Sequence, residues 1–197
     1  MNAKKAREMA DLLKGLPVAV KPLPATGVRA VEEHGETFAE NARGKALGFA
    51  AQLNACVVAD DSGIEVDALG GRPGVRSARY GGPDISDEDR VRLLLAELKN
   101  VPDERRTARF RCFAVLAAPA CPPEASGKVL IEAEGKVEGR INHAPRGRGG
   151  FGYDPVFVPQ GFDCTFAEMP AAEKHKLSHR GQALRELRRK LARMLKE

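Results

Sequence analysis

The chain has 197 residues, of which 43% are hydrophobic, and this is enough apolar material for one sizeable ordered domain and argues against a disordered protein. No stretch approaches the roughly 18 apolar residues of a transmembrane helix, and no apolar signal-peptide core follows Lys4 and Lys5. We therefore expect a soluble cytoplasmic protein without a membrane partner. The formal net charge of +5 suits an anionic ligand but does not identify it.

Two helices are predicted in the first part of the chain. Residues 3–14 carry apolar side chains at helical spacing, and Asn2 is a suitable cap for them. Thr37 and Glu40 have capping-box spacing, which predicts a helix that runs to about Leu53. Lys45 lies within this second helix, where the residue taken alone is most simply a solvated surface lysine.

An unbroken apolar run, Ala55–Ala59, is followed directly by Asp60-Asp61-Ser62-Gly63. Such a run is typical of a strand inside a parallel sheet, and ligands gather at the carboxyl ends of such strands. Two adjacent carboxylates can both stay charged beside a divalent cation, which prefers oxygen ligands. The same residues also suit a turn that ends the strand, and the four residues alone leave both interpretations open.

The middle of the chain predicts an α/β protein with a mixed sheet. Ser86 has the position of a helix cap, and the apolar stripe of that helix runs from Val91 to Leu98. Residues 107–117 and 129–138 alternate in the manner of two antiparallel strands. Neither a composition break nor a repeat marks a second independent domain, so we expect a single domain over residues 1–197.

A glycine-rich stretch, Gly147–Pro155, surrounds two aromatic residues and an acid. It lacks the Lys-Ser/Thr ending of a P-loop and the GxGxxG order of a dinucleotide turn. Phe151 and Tyr153 present flat rings on which a nucleobase could stack. The alternative is a long flexible hairpin loop.

The last predicted helix begins after Ser178, which is a suitable cap, so that His179 and Arg180 occupy the first turn. Cations are poorly placed there for helix stability, because free backbone amides favour an anion or a carbonyl oxygen, and this points to ligand contact. The many Arg and Lys residues from Arg185 onward are better interpreted as a solvated basic face than as a nucleic-acid surface.

Five motifs in order resemble those of the inosine triphosphate pyrophosphatase-like family, the XTP/dITP diphosphatases that remove deaminated purine nucleotides. They cover nearly the whole chain. The motifs are E-x-G-x-T-F-x-E-N-A-x-x-K-A at Glu33–Ala46, A-D-D-S-G at Ala59–Gly63, G-G-x-P-G-x-x-S-A-R-Y at Gly70–Tyr80, G-G-F-G-Y-D-P at Gly149–Pro155 and S-H-R-G-Q-A-L at Ser178–Leu184.

This resemblance implies an elongated mixed β-sheet flanked by helices, in two lobes of one domain with a nucleotide cleft between them, and a homodimer. It implies Mg²⁺-dependent hydrolysis of a deaminated purine triphosphate (ITP, dITP or XTP) to monophosphate and pyrophosphate. It implies no stable nucleic-acid partner.

The resemblance also assigns roles to individual residues. Glu33 and Asp61 match metal-binding acids, and Asp61 matches a proposed proton acceptor with Asp60 beside it. Lys45 matches a phosphate-facing lysine and Ser62 a substrate-contacting serine. The residues that match the base-recognition set are Phe151, Gly152, Tyr153, Asp154, Lys174, His179 and Arg180.

The start of the sequence matches only the end of a further family motif. Family members begin with an apolar strand leading into T/S-x-N-x-x-K, and here Asn2 and Lys5 match its last part as substrate-binding residues. We expect an added upstream strand with T-x before Asn2 to raise thermal stability and triphosphate affinity. The alternatives to a hydrolase are a nucleotide-binding relative with impaired catalysis, because of the missing segment, and a nucleic-acid-binding module that uses the basic last helix.

Overall fold

The computed structural model of the protein describes residues 13–24, 26–120 and 127–196. The predicted first helix, apart from its last two positions, lies outside these residues, as do Asn2 and Lys5. Among the described residues the helices and strands are α1 (Phe38–Leu53), β1 (Val57–Val66), α2 (Asp87–Glu97), β2 (Thr107–Ala118), β3 (Lys128–Ile141), β4 (Phe157–Pro159), α3 (Ala171–Leu177) and α4 (His179–Met194).

The four strands form one sheet in the order β1-β2-β3-β4, and β3 and β4 are antiparallel. The contacts of β1 with β2 show that these strands also run in opposite directions: Asp67, directly after β1, accepts from Thr107 at the start of β2, while Glu65, earlier on β1, accepts from Arg111, later on β2. This pair is therefore antiparallel, and the expectation of a parallel sheet around the apolar run is wrong. An unbroken apolar run reports burial on both faces of a strand and not its direction.

β1 continues through the two adjacent carboxylates instead of ending at them, because it spans Val57–Val66. Both the strand-end interpretation and the turn interpretation of Asp60 and Asp61 are thus wrong. The two residues are 9% and 7% exposed. A buried charge within a strand requires a partner, and Lys45 is that partner for Asp61.

The capping box that predicts α1 is confirmed in both halves. The Thr37 hydroxyl accepts from the backbone N–H of Glu40 at 3.2 Å, and the Glu40 carboxylate accepts from the backbone N–H of Thr37 at 3.1 Å. The helix ends at Leu53, where Asn54 adopts the left-handed conformation with φ of 46°. Local signals therefore define both ends of the helix that carries Lys45.

Gly35 lies just before this capping box, where a larger residue has no room. A Cβ atom there would lie 2.6 Å from the Glu40 Cβ and 2.8 Å from the Asn41 Oδ1. We expect Gly35→Ala to lower the free energy of unfolding by roughly 1 to 3 kcal/mol, as overpacking does in other proteins. Denaturant unfolding would measure the loss.

The matched control is Gly44→Ala in the middle of α1, where an added Cβ meets no atom within 4 Å. Alanine is a better helix former than glycine, so this variant should gain roughly 0.5 to 1 kcal/mol. Equal stability of the Gly35→Ala variant and the unmodified protein would contradict the close packing of Gly35 against Glu40 and Asn41.

The chain divides into two compact units, and each contains its own hydrophobic cluster. The first unit comprises the described parts of Met1–Asp61, Phe113–Glu134 and Ala183–Glu197, and the second comprises Ser62–Cys112 and Gly135–Gln182. The first cluster is formed by small and branched side chains of α1, β1 and β2: Ala42, Ala46, Ala50, Ala59, Val115 and Ala117. The second is larger and richer in aromatic residues, and its largest members are Phe110, Tyr153, Phe157 and Phe166. That these units are lobes of one domain stays a prediction.

The remaining helices follow their predicted caps, with one exception. The Ser86 hydroxyl accepts from the backbone N–H of Asp89 at the start of α2, and Ser178 accepts from Gly181 at the start of α4. The apolar spacing of the last helix also predicts a core stripe of Leu184, Leu187, Leu191 and Met194, and these side chains are buried except for Met194, which is 39% exposed. The short α3 was not predicted. It has no side-chain cap and no fully buried residue, so the sequence carries no periodic signal for it.

Candidate functional site

Lys45 joins two of the predicted acids into one cluster in the first unit. Its Nζ donates to Asp61 Oδ1 at 2.8 Å and to Glu33 Oε1 at 3.1 Å. The three side chains come from α1, β1 and the loop before α1, and they are 10 to 26% exposed. The interpretation of Lys45 as a solvated surface lysine is therefore wrong, because its ammonium is half-enclosed between two carboxylates.

Asn41 fixes the loop that carries Glu33. Its side-chain Oδ1 accepts from the backbone N–H of Gly35 at 2.8 Å, and its Nδ2 donates to the Gly35 carbonyl at 3.3 Å. Asn41 is 3% exposed and lies one turn before Lys45 on α1. One face of α1 thus supplies both Lys45 and the Asn41 side chain, which holds the loop that carries Glu33. The sequence showed the spacing of these two residues but not the contact with Gly35.

Burial and charge act in opposite directions on the central carboxylate. Burial raises the pKa of Asp61, and the neighbouring Lys45 ammonium lowers it by less, so the net direction is upward. Burial alone would lower the pKa of Lys45, but Asp61 and Glu33 outweigh it and the net direction is again upward. Lys45 therefore stays an ammonium at neutral pH.

Two carboxylates of this cluster fit a Mg²⁺ ion. Asp61 Oδ2 is buried and lies within hydrogen-bond distance of no donor among the described residues, although Asn41 is close enough to lower the pKa of this carboxyl. Burial of an oxygen without a hydrogen-bond partner costs free energy unless the oxygen binds a ligand. Within the described ranges no group of three or more His, Cys, Asp and Glu side chains is placed to hold a metal. Mg²⁺ usually needs only one or two carboxylates, because substrate phosphates and water complete its octahedron.

A second group of predicted residues meets in the second unit around Phe151. The Arg180 Nη2 donates to Ser62 Oγ at 2.9 Å, and the Arg180 Cζ lies 5.7 Å from the centre of the Phe151 ring. The Lys174 Nζ lies 5.3 Å from the same ring centre. Phe151 is 40% exposed. The structure therefore brings together an exposed aromatic face and two cations.

Asp154 shapes the turn that carries Phe151. Its Oδ2 accepts from the backbone N–H of Phe151 at 2.8 Å and forms a close ion pair with Lys174. The carboxylate is only 4% exposed, so the Lys174 charge stabilises it in the interior. In this structure Asp154 organises the loop and orients Lys174.

Tyr153 and His179 are packed inside the second unit and do not present open faces. Tyr153 is 4% exposed, and its hydroxyl donates to the Ser77 carbonyl at 3.0 Å. His179 is 8% exposed and stacks on Phe110, with ring centres 4.7 Å apart and planes 6° apart. Of the two aromatic residues that the sequence offered for stacking, only Phe151 has an accessible ring.

Most basic residues of α4 from Arg185 onward are exposed, in agreement with their interpretation as a solvated face; the exception is Arg188, which is half-buried and donates to the Lys14 carbonyl at 3.1 Å. Glu186 forms ion pairs with Arg189 and Lys190 on this surface. Such exposed pairs contribute little to stability.

The sequence is similar to those of named proteins. Residues 1–190 match the Ham1 family over most of the chain. This chain belongs to the Ham1 family. A dITP/XTP pyrophosphatase of Gloeobacter violaceus is 50% identical to it over 186 residues, which are 94% of this chain and 88% of the relative. A dITP/XTP pyrophosphatase of Bacillus subtilis is 44% identical over 187 residues, which are 94% of this chain and 91% of the relative.

Solved structures of similar proteins agree with the fold. A HAM1 protein from Coxiella burnetii superposes with a TM-score of 0.88 at 39% identity, covering 98% of this chain and 95% of that one. A nucleoside-triphosphatase (dITP/XTP pyrophosphatase) from Mycobacterium abscessus gives a TM-score of 0.72 at 42% identity, covering 94% and 93%. The predicted α/β class and the predicted family are both confirmed. In the part of the chain that the structure describes, none of the helices has the length and hydrophobicity needed to cross a bilayer.

Proposed function

We propose that this protein hydrolyses deaminated purine nucleoside triphosphates, namely ITP, dITP and XTP, to the monophosphate and pyrophosphate. The observation that carries the proposal is the Lys45 ammonium held between Glu33 and Asp61, with one buried Asp61 oxygen that has no partner among the described residues. The Ham1 relatives named dITP/XTP pyrophosphatases support the choice of substrate.

In the proposed reaction a water molecule attacks the α-phosphorus, and the bond to the bridging oxygen of pyrophosphate breaks. Asp61 accepts the proton of the attacking water, a role that suits a carboxyl whose pKa burial has raised. Asp60, the preceding residue on β1, is the second acid proposed for the catalytic set through the resemblance. Lys45 stabilises the charge that develops on the phosphate oxygens.

Glu33 and Asp61 would hold Mg²⁺. When bound, this ion would neutralise phosphate charge and make the attacking water more acidic. Asn41 and Gly35 then serve the reaction indirectly, because they fix the loop on which Glu33 lies. Asn2 and Lys5 belong to the proposed phosphate-binding set through the resemblance alone.

The second unit would read the base. Phe151 presents the ring on which a purine stacks, and Gly152 lets the backbone pass close to it. Lys174, His179 and Arg180 are the proposed donors to a 6-keto oxygen, with Ser62 and Asp154 orienting two of them. Adenine has an amino group at this position and would leave the donors unpaired, which a binding site rejects by a large factor.

We further propose that the protein acts in the cytoplasm as a homodimer and has no stable nucleic-acid partner. These parts of the proposal rest on the family resemblance.

A pyrophosphate-release assay tests the proposed function. ITP, XTP, ATP and GTP are compared with Mg²⁺ present and after chelation. We expect rapid release from ITP and XTP, slow release from ATP and GTP, and no release without the metal. Equal rates on all four nucleotides, or release of orthophosphate in place of pyrophosphate, would contradict the proposal.

A further inference from the structure

Asp87 is the first residue of α2, but its carboxylate accepts hydrogen bonds from a side chain and from a distant backbone N–H group. Oδ2 accepts from the backbone N–H of Gly152 at 2.9 Å, and Oδ1 accepts from Arg90 Nη1 at 2.8 Å. The cap of α2 is supplied by Ser86, whose hydroxyl accepts from the Asp89 N–H. The Asp87 carboxylate is therefore not needed as the helix cap, and its contact with Gly152 joins elements 65 residues apart.

Gly152 is the central residue of the segment that presents the Phe151 ring. Its φ of +59° lies in the left-handed region, where the backbone N–H turns away from the neighbours that a regular element would give it. The flanking residues are held separately: the Phe151 N–H bonds to Asp154, and the Tyr153 hydroxyl bonds to the Ser77 carbonyl. Each of these three consecutive residues is thus held by at least one hydrogen bond, and Asp87 accepts the bond that holds the middle residue.

The far ends of these anchors are rigid. The Ser77 hydroxyl accepts from the backbone N–H of Ile64 on β1 at 2.9 Å and donates to the Gly74 carbonyl at 2.6 Å, so the Tyr153 anchor is tied to the sheet. On the other side the Arg90 side chain is only 12% exposed. The Asp87 side chain is itself 52% exposed, and its charge-assisted bond to the enclosed Arg90 guanidinium is what orients the carboxylate.

We propose that Asp87 is a positioning residue that sets the base discrimination of this enzyme by fixing the Gly152 backbone and, through it, the Phe151 ring. The inference rests on the proposed function, because it concerns how the purine is read. Asp87 does not touch the substrate. Loss of the Asp87 carboxylate would let the Phe151 ring move away from Arg180 and Lys174. A purine stacked on that ring would then be displaced from the side chains that donate to it.

The test compares Asp87→Ala with Asp87→Asn and with Glu88→Ala. Glu88 is an exposed acid in the same first helical turn, so its removal costs the same helix-dipole interaction without touching Gly152. Asparagine keeps an oxygen that can accept from Gly152 but loses the charge that pairs with Arg90. The readouts are amide hydrogen exchange in the 150–154 segment, and KM and kcat for ITP and ATP.

We expect Asp87→Ala to speed exchange in the 150–154 segment and to narrow the ratio of kcat/KM for ITP over ATP by about tenfold, the scale of one charge-assisted hydrogen bond. The change should lie mainly in KM for ITP. Asp87→Asn should recover part of both effects, and Glu88→Ala should show neither.

Unchanged exchange in Asp87→Ala, or an equal loss for both nucleotides, would overturn the inference. Failure of the proposed function is a separate outcome, since it would appear as no pyrophosphate release from ITP by the unmodified protein. That result would also overturn the claim about base discrimination, while the exchange measurement would still decide whether Asp87 anchors the segment.

Discussion

Asp61→Asn is expected to reduce ITP turnover at least ~100-fold while the protein stays folded, since a positioned acid or base contributes at least that factor. The variant removes the charge that Lys45 pairs with and the group that accepts the proton. It keeps the size of the side chain within β1, so packing is preserved. The measurement is pyrophosphate release from ITP at saturating Mg²⁺.

The same variant should melt at an equal or higher temperature. Burial raises the pKa of Asp61 above its ordinary value of 3.8, so the folded state binds this proton more tightly than the unfolded chain. Ionisation of Asp61 therefore weakens folding as pH rises from 3.8 through the folded pKa, and the full cost is present at neutral pH. Asparagine carries no charge and avoids that cost. The stability advantage of the variant should disappear in acid, below the ordinary value.

Glu65→Gln is the control for Asp61→Asn. Glu65 is another carboxylate of β1, but it pairs with Arg109 and Arg111 and not with Lys45. Its replacement should leave ITP turnover close to that of the unmodified protein. Near-normal turnover by Asp61→Asn would contradict the role assigned to Asp61, and a large loss in both variants would show that any charge change on β1 disturbs the enzyme.

Helix ends were predictable from the sequence because the interactions that form them are local. The bonds that cap α1 connect Thr37 with Glu40, three residues apart, and Ser86 and Ser178 cap their helices in the same way. The end of β1 was not predictable, because it depends on a distant contact. Lys45, sixteen residues before Asp61, offsets the carboxylate charge that would otherwise end the strand.

The same difference between local and distant contacts applies to the candidate site. Glu33, Lys45 and Asp61 were assigned to one site by the family resemblance, and the structure brings them together. The sequence did not reveal the contact of Asn41 with Gly35 or that of Asp87 with Gly152, because each contact joins a side chain to a backbone group that any residue could supply. It also could not separate Phe151 from Tyr153, whose similar rings differ in burial only through tertiary packing.

Arg180→Ala is expected to narrow the ratio of kcat/KM for ITP over ATP by roughly 10- to 100-fold, the range for one or two hydrogen bonds from a charged donor. Its guanidinium is 5% exposed, lies beside the Phe151 ring and donates to Ser62. His179→Ala should act in the same direction. Lys45→Ala should lower kcat/KM for both nucleotides with little change in the ratio, because every nucleotide has the phosphates that Lys45 meets.

The ratio is the appropriate readout because Arg180 is buried and its loss will also lower stability. A smaller folded fraction reduces the rates on ITP and ATP equally and cancels in their ratio, whereas a lost contact to the base does not. Arg193→Ala, at an exposed position of α4, removes the same charge from the same helix and should leave the ratio unchanged. If Lys45→Ala erased discrimination while Arg180→Ala and His179→Ala preserved it, the roles assigned to the two groups would be reversed, and the base would be read by the first unit.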